Sequence, residues 1–430
     1  MNDNVKKYLP RVIEPLFKKK LANFGAVWIT GCKWCGKSTT AKMLGKSVVE
    51  VQDTEDNQGI RQIAANQPSV ILAGEKPRVI DEWQDAPELW DAVRHDVDDT
   101  GLTGQYILTG SSTPAVRRDG KKPMHSGAGR IAKITMRPMS LYESGESSGE
   151  VSLTALLNGN TDVAGSANLG IQEIVELCTR GGWPASVIRM SSDGDLAREY
   201  LNAIVEREGS LQELEYYSPG RMRALLRGLA RSVAAPAKIS TLINDVAANT
   251  GSAISDATAA NYLSILEQIY IVDDVEAWCP KIRSKTEIRT GKKRNLVDPS
   301  LAVAALYATK NDLMMDFNSL GLVFESLALR DLKVYMESLG GELFYYRDQN
   351  GVECDAVAHL NGHWVGIEIK LGADDDTVDG AAVSLSRFKN VVDTEEMREP
   401  ECLMVLSGLA KYAYKRQDGV LVVPIGCLKN

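Results

Sequence analysis

Residues Gly31 to Ser38 read GCKWCGKS and satisfy G-x-x-x-x-G-K-[ST] at every position. The apolar run Ala26, Val27, Trp28, Ile29 leads in, and an Ala/Lys/Met/Leu segment of helical character comes after. This is the strand, loop, helix context that a phosphate-binding loop requires. Gly31 and Gly36 carry no Cβ, so successive backbone N–H groups can curl around a β-phosphate while the helix N-terminus adds its partial positive charge. Lys37 is then placed to reach the β- and γ-phosphates, Ser38 to offer its hydroxyl to Mg²⁺, and Thr39 to join the nucleotide contacts. ATP and Mg²⁺ are the cofactors this chemistry uses. Cys32 and Cys35 form a C-x-x-C inside the loop. A redox switch and two merely filled motif positions are both open readings, whereas zinc would need two more ligands nearby.

The stretch KPRVIDEWQDAP brings Val79 and Ile80 up to Asp81 and Glu82, about forty residues after Lys37. At a strand end, Asp81 could hold the Mg²⁺ shell and Glu82 could orient a water, as in a Walker B motif. In GQYILTGSST, a strand between these two would point Thr109 or Ser111 at the γ-phosphate; a plain Gly/Ser turn is the competing reading. Arg130 precedes a fifth strand and Arg137 ends it, so either could act as an arginine finger, in cis or on a neighbouring subunit; a solvated surface Arg is the alternative.

A second constellation lies in YYRDQNGVECDAVAHLNGHWVGIEIKLG. Asn361 and Gly362 signal a type I′ turn, which pairs Leu360 with His363 and sets Asp355 opposite Glu368 and Glu353 opposite Lys370. All four side chains then share one face. Two facing carboxylates repel unless a cation lies between them; Mg²⁺ is the candidate, with Lys370 placed to activate water or to stabilise developing charge. His359 and His363 fall on opposite faces and are no zinc pair.

The segments GCKWCGKST, VIDEWQDAP, YILTGSS, GAGRI and RPMSLYE resemble, in order and spacing, the bacterial AAA-type ATPases that carry a C-terminal domain of unknown function. That resemblance covers about residues 5 to 143 and implies a five-stranded parallel sheet flanked by helices. The GGWP turn at Gly181 to Pro184 and the Asp-Pro segment NLVDPSLAVAAL are similar to further signatures of that family. The D-x(n)-E-x-K pattern, with Glu325 on the preceding helix, resembles the PD-(D/E)xK nuclease core over roughly residues 280 to 430. It implies a metal held by Glu325, Asp355 and Glu368 with Lys370 catalytic; a nuclease-derived scaffold is the alternative.

The elements that must position these residues are set by the rest of the chain. With 430 residues, 44% of them hydrophobic, the chain has material for two or three cores. The net charge of -8 is no global signature of nucleic-acid binding, so DNA or RNA contact would rest on local basic patches. Two candidates are the face of Arg223, Arg227 and Arg231, spaced i, i+4, i+8, and the basic run Lys281 to Arg294. For both, a solvated charged surface competes. Seven cysteines without framework spacing and no apolar stretch of about 18 residues lead to the expectation of a soluble cytoplasmic protein without membrane contact.

The expected class is α/β: a P-loop AAA-type domain over 1–143, a Ser/Gly-rich linker over 144–170, a helical, winged-helix-like region over 171–280, and a restriction-endonuclease-like domain over 281–430. In the third region a helix pair has Ser255 or Asp256 as the cap of its second member, and a β-like Ile269 to Val275 comes next. That second helix carries few basic residues, so protein contact is as open as nucleic-acid contact. The functional expectation is a Mg²⁺-dependent ATPase coupled to a nuclease-like domain, with an ATP-driven binding switch on an inactive scaffold as the alternative.

Overall fold

The computed structural model describes residues 8–52, 57–110, 127–189, 193–208, 218–251, 254–279, 291–392 and 398–430. The chain is α/β and divides into two compact units, Met1–Arg137 with Gln268–Tyr270, and Pro138–Glu267 with Ile271–Asn430.

The first unit is built on five parallel strands: β1 (Ala26–Thr30), β2 (Ser47–Glu50), β3 (Arg78–Asp81), β4 (Tyr106–Thr109) and β5 (Ile131–Thr135). Their order is β2-β3-β4-β1-β5. Every residue of β1 and β4 is buried, as a parallel sheet covered on both faces requires. Helix α1 (Glu14–Asn23) has Pro15 in its first turn, where its missing N–H costs no helical hydrogen bond. Helix α2 (Lys37–Leu44) starts directly from Gly36, whose φ of 101° is left-handed and suits glycine. Beside β1 and β3, Trp28, Trp83 and Trp90 pack with centroids 4.8 to 5.9 Å apart, next to the strand end that carries the acids.

The second unit carries β6 (Val151–Ser152), β7 (Gly165–Ser166), β8 (Glu276–Ala277), β9 (Glu342–Arg347), β10 (Glu353–Leu360), β11 (His363–Lys370), β12 (Cys402–Ser407), β13 (Tyr412–Lys415), β14 (Leu421–Pro424) and β15 (Leu428–Lys429). Eight of them form one mixed sheet, ordered β7-β13-β14-β12-β11-β10-β9-β8. The helices Phe317–Leu339 and Asp375–Val391 pack on it.

One expectation changes here. Residues 144–170 are not a free linker: β6 pairs with β15, β7 pairs with β13, and Leu153, Leu156 and Leu157 are buried. The Ser/Gly content instead serves turns and caps, such as the Ser152 hydroxyl that accepts the Ala155 amide. The first compact unit ends at Arg137, and Ser140 and Leu141 belong to the second unit's buried network. There Asp331 accepts the Leu141 amide at 2.9 Å, and Arg330 pairs with Asp298 at 3.0 Å and Asp331 at 2.7 Å. Asp298 also accepts the Gly182 amide, which joins the GGWP turn to the Asp-Pro segment. A Cβ on Gly182 would stand 2.1 Å from the Met139 carbonyl oxygen, so only glycine fits.

The expected helix pair is present as Ile239–Thr250 and Asp256–Gln268, with the Ser255 hydroxyl capping the second by accepting the Thr258 amide. Beyond the second helix the chain makes single bridges, Val272 to Leu296 and Val275 to Lys293, in place of the β-like run from Ile269 to Val275.

Candidate functional site

The loop after β1 is held from several sides. Arg11, buried near the start of α1, donates through Nη1 to the Cys35 carbonyl and through Nη2 to the Arg137 carbonyl, each at 2.8 Å. Gly31, with φ of 138°, passes so near β5's exit that a Cβ would stand 2.0 Å from the Met136 carbonyl oxygen. Lys37 is buried, and its ammonium donates to the Gly31 and Cys32 carbonyls at 2.9 and 2.8 Å. Ser38 is half-buried in the first turn of α2, and Thr39 is exposed beside it.

Cys32 and Cys35 are both fully buried. Burial alone would raise the Cys35 thiol, but the hydrogen bond with Cys32 and the charges of Lys37 and Arg11 outweigh it and bring it down to about 6.

Because β4 lies between β3 and β1, Thr109 stands next to both acids. Its hydroxyl donates to Asp81 Oδ1 and accepts the Glu82 amide at 3.0 Å. Asp81 is buried, with Oδ2 3.5 Å from Lys42 Nζ. Glu82 adopts φ of 55°, an uncommon left-handed conformation for a non-glycine residue and one often met at functional sites. Its Oε2 accepts from the Gln84 amide, while Gln84 Oε1 is buried with no hydrogen-bond partner. Gly110 leaves the room for that amide, since a Cβ there would lie 2.7 Å from Gln84 Oε1.

The loop, Asp81, Glu82 and Thr109 thus stand together at the carboxyl edge of the parallel sheet, where α/β sheets bind ligands. Thr109 differs from expectation: its hydroxyl braces the two acids and is not directed at a phosphate. Arg130 also differs. Its carbonyl accepts the Ala26 amide at the first residue of β1, so it occupies the amino edge, at the other end of the strands from the loop. Its guanidinium pairs with Asp98 at 2.6 Å. Parallel strands of this length cannot bring it to the loop of the same chain. Ser111 lies outside the described residues.

The donor set fits a nucleotide with Mg²⁺: a glycine-framed loop, a buried lysine, a hydroxyl in the first helical turn and a buried aspartate at a strand end. The unpartnered Gln84 Oε1 next to Glu82 adds an acceptor where a water would be oriented.

In the second unit the Asn361-Gly362 turn has both φ positive, at 52° and 84°, and the register Leu360 to His363 runs back to Ala356 opposite Ile367. The ladder pairing ends there, and the Asp355 and Glu368 carboxylates beyond it are both in contact with Lys370. A β-bulge against β9 between Cys354 and Val357 re-aims the strand there. It leaves Glu353 outside the cluster, exposed and paired with Arg347 at 3.0 Å.

Lys370 bridges Glu368 at 2.7 Å and Asp355 at 3.1 Å. Lys293, part of the basic run for which nucleic-acid contact and a solvated surface were both open, bridges Glu325 at 2.5 Å and Asp355 at 3.4 Å. Burial would raise Asp355, but Lys293, Lys370 and the Ile369 amide outweigh it and hold its carboxyl low. Burial and the Asp355 charge push Glu325 and Glu368 up. Three carboxylates against two ammonium groups leave one surplus negative charge, and these directions favour a proton on one of the glutamates. Among the described residues, no group of three or more His, Cys, Asp and Glu is arranged to hold a metal ion.

The described members of the basic patches have the following partners. Arg223 bonds Asn202, Arg227 bonds Asn249 and Arg231 pairs with Asp245. Lys292 pairs with Glu276 and Arg294 with Asp274, while residues 281–290 lie outside the described residues. No described helix is long and apolar enough to cross a membrane.

Residues 23–145 match the family described as AAA domain, which supports an AAA-type domain that binds and hydrolyses ATP. Residues 171–312 and 320–428 match two families described as domains of unknown function, DUF8612 and DUF4143. Among curated proteins, uncharacterized proteins of Mycobacterium tuberculosis and Mycobacterium bovis are each 23% identical over 362 residues, which is 82% of this chain and 72% of theirs. Among solved structures, a Thermotoga maritima RuvB variant is 16% identical with a TM-score of 0.27, covering 61% of this chain and 88% of that one. A Vibrio cholerae protein is 10% identical with a TM-score of 0.20, covering 93% and 94%. Scores this low leave both structural likenesses without weight.

Proposed function

We propose that the chain is a Mg²⁺-dependent ATPase whose second unit works as a binding module governed by nucleotide state. The observation that carries the reading is the meeting of the Gly31 to Ser38 loop with Asp81 and Glu82 at one sheet edge, braced by Thr109. Lys37 would leave the loop carbonyls for the β- and γ-phosphates, and the loop amides with Thr39 would hold the rest of the triphosphate. Ser38 and Asp81 would hold Mg²⁺, which neutralises developing charge on the phosphoryl oxygens. Glu82, held by the Gln84 amide, would orient water for in-line attack, giving ADP and phosphate. The test is phosphate release with Mg²⁺ against EDTA, with Lys37→Ala as the control. No release above that control would overturn the reading.

A second reading is metal-dependent cleavage of DNA or RNA by Glu325, Asp355, Glu368 and Lys370. Their convergence on one face favours it. The two lysines bound between these acids disfavour it, because a metal does not fit the cluster as arranged. Incubation of the full chain with single- and double-stranded DNA and RNA, with Mn²⁺ and with or without ATP, separates the readings: products absent from Asp355→Asn establish cleavage. Arg130 could act as a finger only towards the loop of a neighbouring copy, in a homo-oligomer.

A further inference from the structure

Glu325 on the helix Phe317–Leu339 and Asp355 and Glu368 on the C-terminal sheet are gathered around two ammonium groups, those of Lys293 and Lys370. The order is Glu325, Lys293, Asp355, Lys370, Glu368, with each lysine between two carboxylates. Asp355 and Glu368 also hydrogen-bond each other, Asp355 Oδ2 accepts the Ile369 amide at 2.9 Å, and Glu368 Oε1 accepts the Ser384 hydroxyl at 3.1 Å.

Lys293 is built into this position. Its backbone bridges Pro236 on one side and Val275 on the other, exchanging both hydrogen bonds with Val275 at 2.9 and 3.0 Å. The side chain is 6% exposed, and Nζ also donates to the Asp355 carbonyl at 3.1 Å. A side chain clamped at its root and coordinated by three oxygens at its tip is not a surface lysine that drifted inward. It does what a metal ion would do there, screening Glu325 from Asp355 with a fixed positive charge.

We infer that Lys293 takes the place of a divalent cation, so that Glu325, Asp355 and Glu368 form a lysine-balanced buried cluster that takes no Mg²⁺ or Mn²⁺ while Lys293 is present. A dication entering between Glu325 and Asp355 would meet the Lys293 ammonium at contact distance, inside a buried site where repulsion is poorly screened. Removing that ammonium leaves two carboxylates facing each other, the situation that recruits a hard cation to oxygen ligands. The inference is independent of ATP hydrolysis, since all five residues belong to the second unit.

The experiment titrates MnCl₂ into the full chain without nucleotide, read by calorimetry and by the loss of free Mn²⁺ signal in electron paramagnetic resonance. Wild type and Asp355→Asn are expected to take up the same amount. Lys293→Met is expected to gain one Mn²⁺, bound at least about tenfold tighter than anything in wild type, and to lose it again when Asp355→Asn is added. Wild type binding more Mn²⁺ than Asp355→Asn, or a folded Lys293→Met that gains none, overturns the inference. Should Lys293→Met not fold, the comparison of wild type with Asp355→Asn decides alone.

Discussion

Arg11 Nη1 donates to the Cys35 carbonyl at 2.8 Å, so a residue ahead of the first helix fixes the backbone of the phosphate-binding loop. The other arm holds the Arg137 carbonyl, 126 residues away in the chain. Each is a bond from a charged donor, worth about 1.5–3 kcal/mol. Arg11→Ala is therefore expected to weaken ATP binding by about tenfold and to lower the melting temperature, although Arg11 is assigned no contact with nucleotide. Calorimetric titration with ATP checks this; wild-type affinity in a less stable variant would confine Arg11 to the fold.

Lys37 and Glu82 are expected to fail in different ways. Lys37→Ala removes a contact to phosphate in the ground state and should abolish both tight binding and turnover. Glu82→Gln should keep ATP bound and trap it, since the carboxylate acts mainly on the attacking water. Single-turnover assays separate the two, and unchanged turnover in Glu82→Gln would remove it as the water-orienting group.

Thr109→Val keeps shape and deletes the hydroxyl that joins Asp81 to the Glu82 amide. A buried carboxylate and a backbone N–H then lose a partner together, at a cost of about 1–3 kcal/mol each. Turnover should fall by about ten- to a hundredfold while ATP affinity changes little, because Lys37 and the loop are untouched. Equal losses in affinity and turnover would mean that Thr109 contacts nucleotide directly.

Arg130→Ala should leave turnover unchanged in dilute protein, because Arg130 sits at the amino edge of the sheet and pairs with Asp98. Turnover measured across protein concentration is the check. A loss seen only at high concentration, and restored by mixing with a Lys37→Ala chain that supplies Arg130, would show a finger in trans.

The acid cluster makes stability depend on pH in a stated direction. Burial and the Asp355 charge push Glu368 up to about 8 and Glu325 up to about 7. Folded values above the unfolded ones contribute stability that is full below the unfolded value and lost as pH rises through the folded one. Asp355, held down to about 2 despite its burial by Lys293 and Lys370, contributes in the opposite sense and loses its share only in strong acid. The groups around Glu368 are Asp355 from β10, Lys370 from β11 and Ser384 from the helix Asp375–Val391, with Glu325 and Lys293 beyond Asp355. The melting temperature of the second unit should therefore fall between about pH 5 and pH 8, and Glu368→Gln should flatten that fall. Identical pH profiles for wild type and Glu368→Gln would show that Glu368 titrates normally.

What the sequence determined by itself was local: the phosphate-binding loop between strand and helix, the acids at the end of β3, and the Asn361-Gly362 turn, whose register runs back to Ala356 opposite Ile367. Such features are legible because turn chemistry, the absence of a Cβ and the two-residue strand period act between near neighbours in the chain. Tertiary structure decided the rest. Order β2-β3-β4-β1-β5 made Thr109 a brace between the acids and sent Arg130 to the far edge, although both stand beside a strand in the sequence. The bulge at Asp355 removed Glu353 from the cluster. Arg11, Arg330 and Lys293 carry no local signal, since each satisfies charge or carbonyl groups brought near only by folding; Lys293 read as part of a basic run, open to nucleic acid or to solvent, until Glu325 and Asp355, 32 and 62 residues later, closed around its ammonium. A buried charge is settled by the partners that share its low-dielectric surroundings, and those partners are chosen by the packing of elements, not by spacing along the chain.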